Sequence, residues 1–261
     1  MDIETADRLR RLNRDFYREQ AASFAETRQA PWPGWEKCLT ILREADKGSG
    51  TLSGYDKVPD PLSVFDLACG NLRFEAYLAS ALPATSFAFH AVDCCDTLLP
   101  STPPAHYQHL DILDALSQSL PLNNQFTAPA CDLSVTFGFL HHVALPQHRA
   151  QILSALIDQT KPGGLVIVSL WQFLNDPARL EKAQLTHTRA LQELGLPELD
   201  EGDYVLGWKD LPGAYRYCHS FSESEIEELV VSTAGRVTPI ARFTADGRTG
   251  NLNTYLIFKT K

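Results

Sequence analysis

Residues 64–78 read VFDLACGNLRFEAYL, and the fold turns on how this stretch is read. An apolar run ends at the acid Asp66. Small residues follow (Ala68, Cys69, Gly70, Asn71), and then Phe74, Tyr77, Leu78 and Ala81 recur at helical spacing. That is the pattern of a strand, a short turn and an amphipathic helix. Two readings compete. Any α/β protein needs tight turns of this kind. A helix N-terminus after a small-residue turn is also where an anionic or nucleotide-type group is held by backbone amides.

Working outward, the chain alternates. SFAFHAVD (86–93) predicts a second strand ending in Asp93, and HYQHLDI (106–112) a third, carrying Asp111 and Ile112. CDLSVTFGFL (131–140) predicts a fourth, ending near Phe137, and Pro146 suits the first turn of the helix after it. KPGG (161–164) predicts a tight turn into a fifth strand, LVIVSLW (165–171). Five strands alternating with helices imply an α/β, doubly wound, mostly parallel sheet with its loops gathered on one edge. Ser222 with Glu225 forms a capping box for a later helix, and RVTPIARFTA and NLNTYLIFKT predict a closing antiparallel pair.

Upstream, Leu9, Leu12 and Phe16 mark a helix whose opposite face carries Arg11, Arg14 and Arg18. That face is either simply solvated or a contact for substrate phosphates. Pro31 and Pro33 bracket Trp32 in a fixed elbow, and a second helix is expected over about 35–45. The Gly-, Ser- and Pro-rich stretch from about 47 to 61 predicts a loop joining this arm to the main domain.

Composition narrows the function classes. Thirty-two acids against 23 bases give a net charge of −9, which argues against broad nucleic-acid binding and against DNA as a partner. No apolar run reaches the roughly 18 residues needed to span a bilayer, so no membrane role is expected. The N-terminus has no apolar signal core, so the expected compartment is the cytoplasm. Six cysteines without a C-x-x-C pair read as reduced thiols, and no Cys or His spacing suits zinc, so no metal is expected.

In open α/β sheets a ligand binds at the carboxyl ends of the strands. Asp66, Gly70, Asn71, Asp93, Asp111 and Phe137 all fall there. Asp93 can accept from ribose hydroxyls, Asp111 from an adenine amine, and Phe137 with Phe139 can form an apolar wall. A dinucleotide site wants G-x-G-x-x-G so that bare backbone can reach a pyrophosphate. Here the turn reads A-C-G-N-L-R, which disfavours NAD. S-adenosylmethionine (SAM) carries no phosphate, and one close glycine suffices for it.

VFDLACGN, VDCCDTLL, DLSVTFGFLHHV and KPGGLVIVSLW together resemble a class I SAM-dependent methyltransferase over residues 62–171. FYREQAASFAETRQAPWP upstream, and GDYVLGW, RYCHSF and SESEIEELV downstream, resemble the tRNA wobble carboxymethyluridine methyltransferases. The resemblance implies a seven-stranded Rossmann-like sheet with its last strand antiparallel and an N-terminal helical lid. Residues 1–61 would be the arm, lid and loop, and 62–261 the methyltransferase domain, the two forming one globular unit. It implies SAM against Tyr17, Arg28, Asp66, Ala68, Cys69, Gly70, Asn71, Asp93, Cys94, Asp111, Ile112 and Phe137. It places Arg28, His141, His142, Arg216 and Tyr217 on the substrate side.

It further implies tRNA as acceptor and a small zinc-binding activator subunit pairing at the sheet edge. The sequence departs from the family at Ala68 and Leu72, where glycines are usual, and Leu72 is expected to narrow the approach to the methionine tail. The implied reaction is O-methylation of a carboxylate, already ionised at neutral pH, gripped by Arg28 or Arg216 and oriented by a histidine. A small-molecule methyltransferase and a catalytically silent SAM-fold binding protein remain as other readings.

Overall fold

The computed structural model describes residues 1–46 and 61–261. The expected joining loop therefore lies, apart from Pro61, outside the described residues. Two helices open the chain, α1 (Ile3–Glu26) and α2 (Pro33–Asp46). Asp2 caps α1 by accepting from the Thr5 amide at 2.8 Å. Alternation follows: β1 (Leu62–Leu67), α3 (Arg73–Ala81), β2 (Phe87–Asp93), β3 (His106–His109), α4 (Ile112–Ser117), β4 (Cys131–Thr136), α5 (Pro146–Asp158) and β5 (Thr160–Trp171). The chain closes with α6 (Pro177–Leu194), β6 (Asp203–Gly207), β7 (Tyr215–His219), α7 (Glu223–Ser232), β8 (Val237–Ala245) and β9 (Asn253–Thr260).

The main sheet has seven strands in the order β3-β2-β1-β4-β5-β9-β8. β1 pairs in parallel with both β2 and β4, and β9 runs antiparallel to both its neighbours. The strand order reverses between β1 and β4, so the crevice for a ligand lies above that junction. Helices cover both faces. α2 and α3 place Trp35, Leu39, Phe74 and Leu78 against Val64, Val135 and Ile257. On the other face α4, α5 and α7 bury Ile112, Ile152, Leu156 and Ile226 against Phe65, Val166 and Phe258. The β6–β7 hairpin stands apart as a two-stranded sheet and packs against α1 and α6. No described helix is long and apolar enough to cross a membrane.

Two boundaries differ from expectation. α3 starts at Arg73, because Leu72 takes a left-handed backbone at φ 56° and belongs to the turn. KPGG is drawn into β5, which begins at Thr160 with a register shift against β4, and Gly163 absorbs it at φ 78°. The capping box forms as expected, Ser222 Oγ accepting from the Glu225 amide and Glu225 from the Ser222 amide.

The lid elbow is clamped to the sheet at Gly34. Its amide donates to Asp246 Oδ1 at 2.8 Å, while the other Asp246 oxygen accepts from Tyr255 at 2.6 Å and Asn253 at 2.7 Å. A Cβ on Gly34 would lie 2.2 Å from the Tyr255 ring. Gly34→Ala should therefore cost about 1–3 kcal/mol through overpacking. A lowered urea midpoint would register it; an unchanged one would mean the elbow can lift from Tyr255 freely.

Candidate active site

The turn after β1 is built from alternating left-handed residues: Ala68 at φ 64°, Gly70 at 57° and Leu72 at 56°. A left-handed side-chain-bearing residue costs about 1–2 kcal/mol, so Ala68 and Leu72 are held there by their surroundings. The amides of Ala68 and Cys69 both donate to the Val92 carbonyl, at 2.7 and 3.1 Å. The Gly70 amide donates to Asp93 Oδ2 at 2.8 Å, and the Cys95 amide to Asp93 Oδ1 at 2.8 Å. The Gly70 amide is therefore engaged within the protein, where it fixes Asp93. Space above Gly70 is open, since a Cβ there would meet nothing within 4 Å. Leu72 does not narrow the crevice. It is 2% exposed, packs with Cys69, Ala91 and Tyr107, and is not part of the cleft wall.

A cleft of about 1180 Å³ opens over the β1/β4 junction. Every residue expected against the cofactor lines it: Tyr17, Arg28, Asp66, Ala68, Cys69, Gly70, Asn71, Asp93, Cys94, Asp111, Ile112 and Phe137. Its volume exceeds the roughly 300–1,000 Å³ typical of a single small-molecule pocket, leaving room for a cofactor and part of an acceptor. On the floor, burial pushes the Asp93 carboxyl pKa up, against the amides of Gly70, Cys95 and Cys94, which lower it. Asp111 also serves as the cap of α4, accepting from the Asp114 amide at 2.9 Å, and Arg10 of α1 approaches it at 3.5 Å. Phe137 packs edge-on against Phe74, centroids 4.7 Å apart, beside Trp35.

The opposite wall holds the expected substrate-side groups. His142 Nδ1 lies 2.9 Å from the Tyr217 carbonyl, and Nε2 lies 2.7 Å from the Tyr17 hydroxyl. A carbonyl only accepts, so Nδ1 carries the proton and Tyr17 donates to Nε2. Burial, with Arg216 nearby, lowers the His142 pKa to about 3. The His141 ring packs tilted against Trp171, centroids 4.8 Å apart, its Nδ1 has no partner among the described residues, and burial, His142 and Arg216 hold its pKa well below 6.5. Both histidines are neutral at physiological pH. With Cys218 Sγ their nitrogens lie within 4.8 Å of one another, a grouping no sequence spacing announced, although His142 Nδ1 is already engaged.

Arg216 is 7% exposed and sits over the rings of Trp208, Phe16 and Phe24 at 5.1, 5.4 and 5.8 Å. Arg28 lies over Phe24 at 4.5 Å and donates to Thr27 Oγ1 at 2.8 Å. Neither has a carboxylate partner among the described residues, and burial together with Arg216 lowers the Arg28 pKa. Tyr217 is the correction on this side. Its side chain is 1% exposed, does not line the cleft, and donates to buried Asp203 at 2.6 Å, because alternation along β7 turns it away when Arg216 faces inward.

Several cleft features were not read from the sequence. Trp32 stacks on Trp35 and covers Gly138, and Arg73 lies over both tryptophans. Phe24, Trp171 and Trp208 complete the aromatic lining. The P-W-P elbow carried a signal for Trp32, but a lone Arg or Trp carries none. On the basic face of α1, Arg11 pairs with Asp7 at 2.5 Å, Arg14 with Asp15 at 3.8 Å and Arg18 with Asp15 at 3.1 Å, and Arg14 and Arg18 also line the cleft.

The fold is that of the class I SAM-dependent methyltransferases, and the resemblance seen in the sequence holds at this level. The solved structure of a SAM-dependent methyltransferase from Methanosarcina mazei matches with a TM-score of 0.54 at 17% identity, over 77% of this chain and 93% of that one. A second, from Clostridium acetobutylicum, matches at 0.51 and 11% identity, over 90% of this chain and 94% of that one. Among curated proteins, the tRNA (carboxymethyluridine(34)-5-O)-methyltransferase of Arabidopsis thaliana is 24% identical over 151 residues, covering 58% of this chain and 30% of that protein. The chain spans less than a third of the length of the curated relatives it matches. No protein-family model matches it.

The buried histidines give a pH prediction. An unfolded histidine binds a proton below about 6.5, whereas folded His142 does so only near 3. Between those values the unfolded state holds more protons, so stability is full above about pH 6.5 and falls as pH drops. Urea unfolding at about pH 4.5 should show a loss on the order of 2 kcal/mol relative to pH 7, and His142→Gln should lessen it. A variant with an unchanged pH slope would place the effect elsewhere.

Proposed function

We propose that this chain is a SAM-dependent methyltransferase that O-methylates a carboxylate. The observation carrying the reading is the pair Arg28 and Arg216: two half-buried or buried guanidiniums on one cleft wall, without a carboxylate partner among the described residues of a protein of net charge −9. An unpaired buried cation is costly, and cation–π contacts of about 0.5–2 kcal/mol offset only part of that. A planar anion from the ligand side supplies the rest.

The histidines argue in the same direction. An amine or hydroxyl acceptor must lose a proton, and a base works best with a pKa near the working pH. His142, held at about 3, is a poor base, and His141 is depressed as well. A carboxylate arrives already ionised and needs no base. The cleft then has to orient the acceptor, exclude water and leave one oxygen free.

The floor fits the cofactor: open space over Gly70, the Asp93 carboxylate oriented by backbone amides at the cleft floor, and Asp66 Oδ1 buried without a donor among the described residues. SAM supplies an electrophilic methyl group on a sulfonium. Asp93 would hold the ribose, Ile112 and Phe137 the adenine, and Tyr17 and the Pro31–Trp32–Pro33 elbow would cover the cleft.

The curated relatives suggest the acceptor, 5-carboxymethyluridine at the tRNA wobble position, and that identity is part of this proposal. In that reading a small zinc-binding activator would pair along β3, which forms one edge of the sheet.

Incubation with methyl-tritiated SAM and bulk tRNA should label the tRNA. Mild alkali should release the label as methanol, because esters hydrolyse and methyl ethers or methylamines do not. Alkali-stable label would overturn the carboxylate assignment, and label appearing only in a metabolite extract would overturn the tRNA. Arg216→Met should raise the acceptor KM roughly 10- to 100-fold, as expected for a lost charged hydrogen bond, and leave the dissociation constant of S-adenosylhomocysteine unchanged. Equal loss of both would remove Arg216 from the acceptor site.

A further inference from the structure

Behind the cofactor turn lies a pair of carboxyl groups that the proposed reaction does not use. Asp66 ends β1 and lines the cleft; Glu75, on the first turn of α3, is 1% exposed and stands behind it, outside the cleft wall. The two buried carboxyl groups lie close enough for the charge of Glu75 to raise the Asp66 pKa. Taken as carboxylates, Asp66 Oδ1 and both Glu75 oxygens have no donor among the described residues. Neither group forms a salt bridge among those residues. The charged and titratable groups closest about them are Asp93 on β2 and Cys69 in the turn, and Asp93 adds negative charge.

Two buried acceptor-only groups cannot face each other without a proton between them. Buried polar atoms in folded proteins are almost always paired, so three orphan oxygens at one point call for an explanation. One proton shared between the two groups satisfies two of the oxygens and removes one of the two like charges. Burial and Glu75 push the Asp66 pKa well up, and burial raises that of Glu75 as well. The pair is thus one negative charge and one proton, with Asp66 open to the cleft.

We propose that Asp66 and Glu75 hold one proton between them in the free protein and release it when the ammonium of the cofactor's amino-acid tail settles against Asp66. Glu75 is then a positioning residue: it touches no ligand and sets how much negative charge Asp66 presents. This rests on the SAM reading above. The sign follows from linkage. The cation prefers the doubly ionised pair, so affinity rises with pH while the free pair is still protonated and levels off once it is not.

Calorimetric titration of the full chain, at about pH 7 in buffers of low and high ionisation enthalpy, counts the protons released on binding. S-adenosylhomocysteine and SAM both carry the ammonium and should each release close to one proton. 5′-Methylthioadenosine keeps the nucleoside and lacks the tail, and should release nearly none. Affinity for S-adenosylhomocysteine should climb roughly tenfold between about pH 5.5 and 7. Glu75→Gln keeps the shape and a donor toward Asp66 but leaves no shared proton; its release should fall toward zero and its affinity should vary less than about twofold over that range.

Binding by the natural chain without proton release overturns this inference alone and leaves the cofactor reading standing. Equal release with methylthioadenosine, which would locate the proton at the nucleoside end near Asp93, overturns it too, as does full release by Glu75→Gln. These first comparisons use the unaltered chain and hold even if the variant does not fold. Absence of binding by all three compounds overturns the inference together with the cofactor reading.

Discussion

The site depends first on one hydrogen bond, from the Gly70 amide to Asp93 Oδ2. It joins the turn after β1 to the end of β2, two neighbouring strands whose register already brings Leu67 beside Val92. Asp93 takes the Cys95 amide with its other oxygen and so fixes the loop that follows β2 as well. A buried carboxylate held by backbone amides is oriented without flexible side-chain partners, and its remaining lone pairs point where the strands leave space. Ala68 and Leu72 accept left-handed backbone within this frame. The turn is therefore not a generic connection: the Ala68 and Cys69 amides tie it to the Val92 carbonyl and the Gly70 amide ties it to the carboxylate of the next residue, Asp93.

From that anchor the cleft is polarised. Acids gather on the floor at Asp66, Asp93 and Asp111, and guanidiniums without a carboxylate partner among the described residues gather on the opposite wall at Arg28 and Arg216. Of the three acids, Asp111 alone has a salt-bridge partner among the described residues, Arg10 at 3.5 Å. A cofactor with a cationic tail and ribose hydroxyls suits the first pole, and an anionic acceptor suits the second. Between them stand two neutral histidines and Tyr17, which orient and exclude water more readily than they move protons. The charge pattern thus favours an acceptor that is ionised before it binds.

Much of this was legible in the sequence, for identifiable reasons. The alternation of strands and helices from Leu62 onward is carried by periodicity, and Asp66, Gly70, Asp93 and Asp111 fall at strand ends, where topology alone puts them at the crevice. What was misread depended on side-chain direction. Leu72 looked like an obstruction because its left-handed backbone, which turns it into the core with Ala91 and Tyr107, has no sequence signature in leucine. Tyr217 was grouped with Arg216, but adjacent residues of a strand face opposite ways. The bond from the Gly70 amide to Asp93 has no local signature, because its partner lies 23 residues on.

Strand β7 shows how a buried polar network can serve a group it never touches. Tyr217 and His219 share one face of the strand, and both bond to Asp203 across the hairpin, at 2.6 and 2.7 Å. Arg149 reaches the Tyr217 hydroxyl at 3.5 Å and Glu225 at 3.2 Å, so α5 and α7 are tied into the same cluster. On the backbone, Asn13 of α1 brackets Tyr217, accepting from its amide at 2.7 Å and donating to its carbonyl at 3.1 Å, and that carbonyl also takes His142. Arg216 thus belongs to a strand held by several elements, and its own guanidinium faces aromatic rings with no carboxylate partner among the described residues. A cation placed this rigidly is preorganised for an anionic ligand.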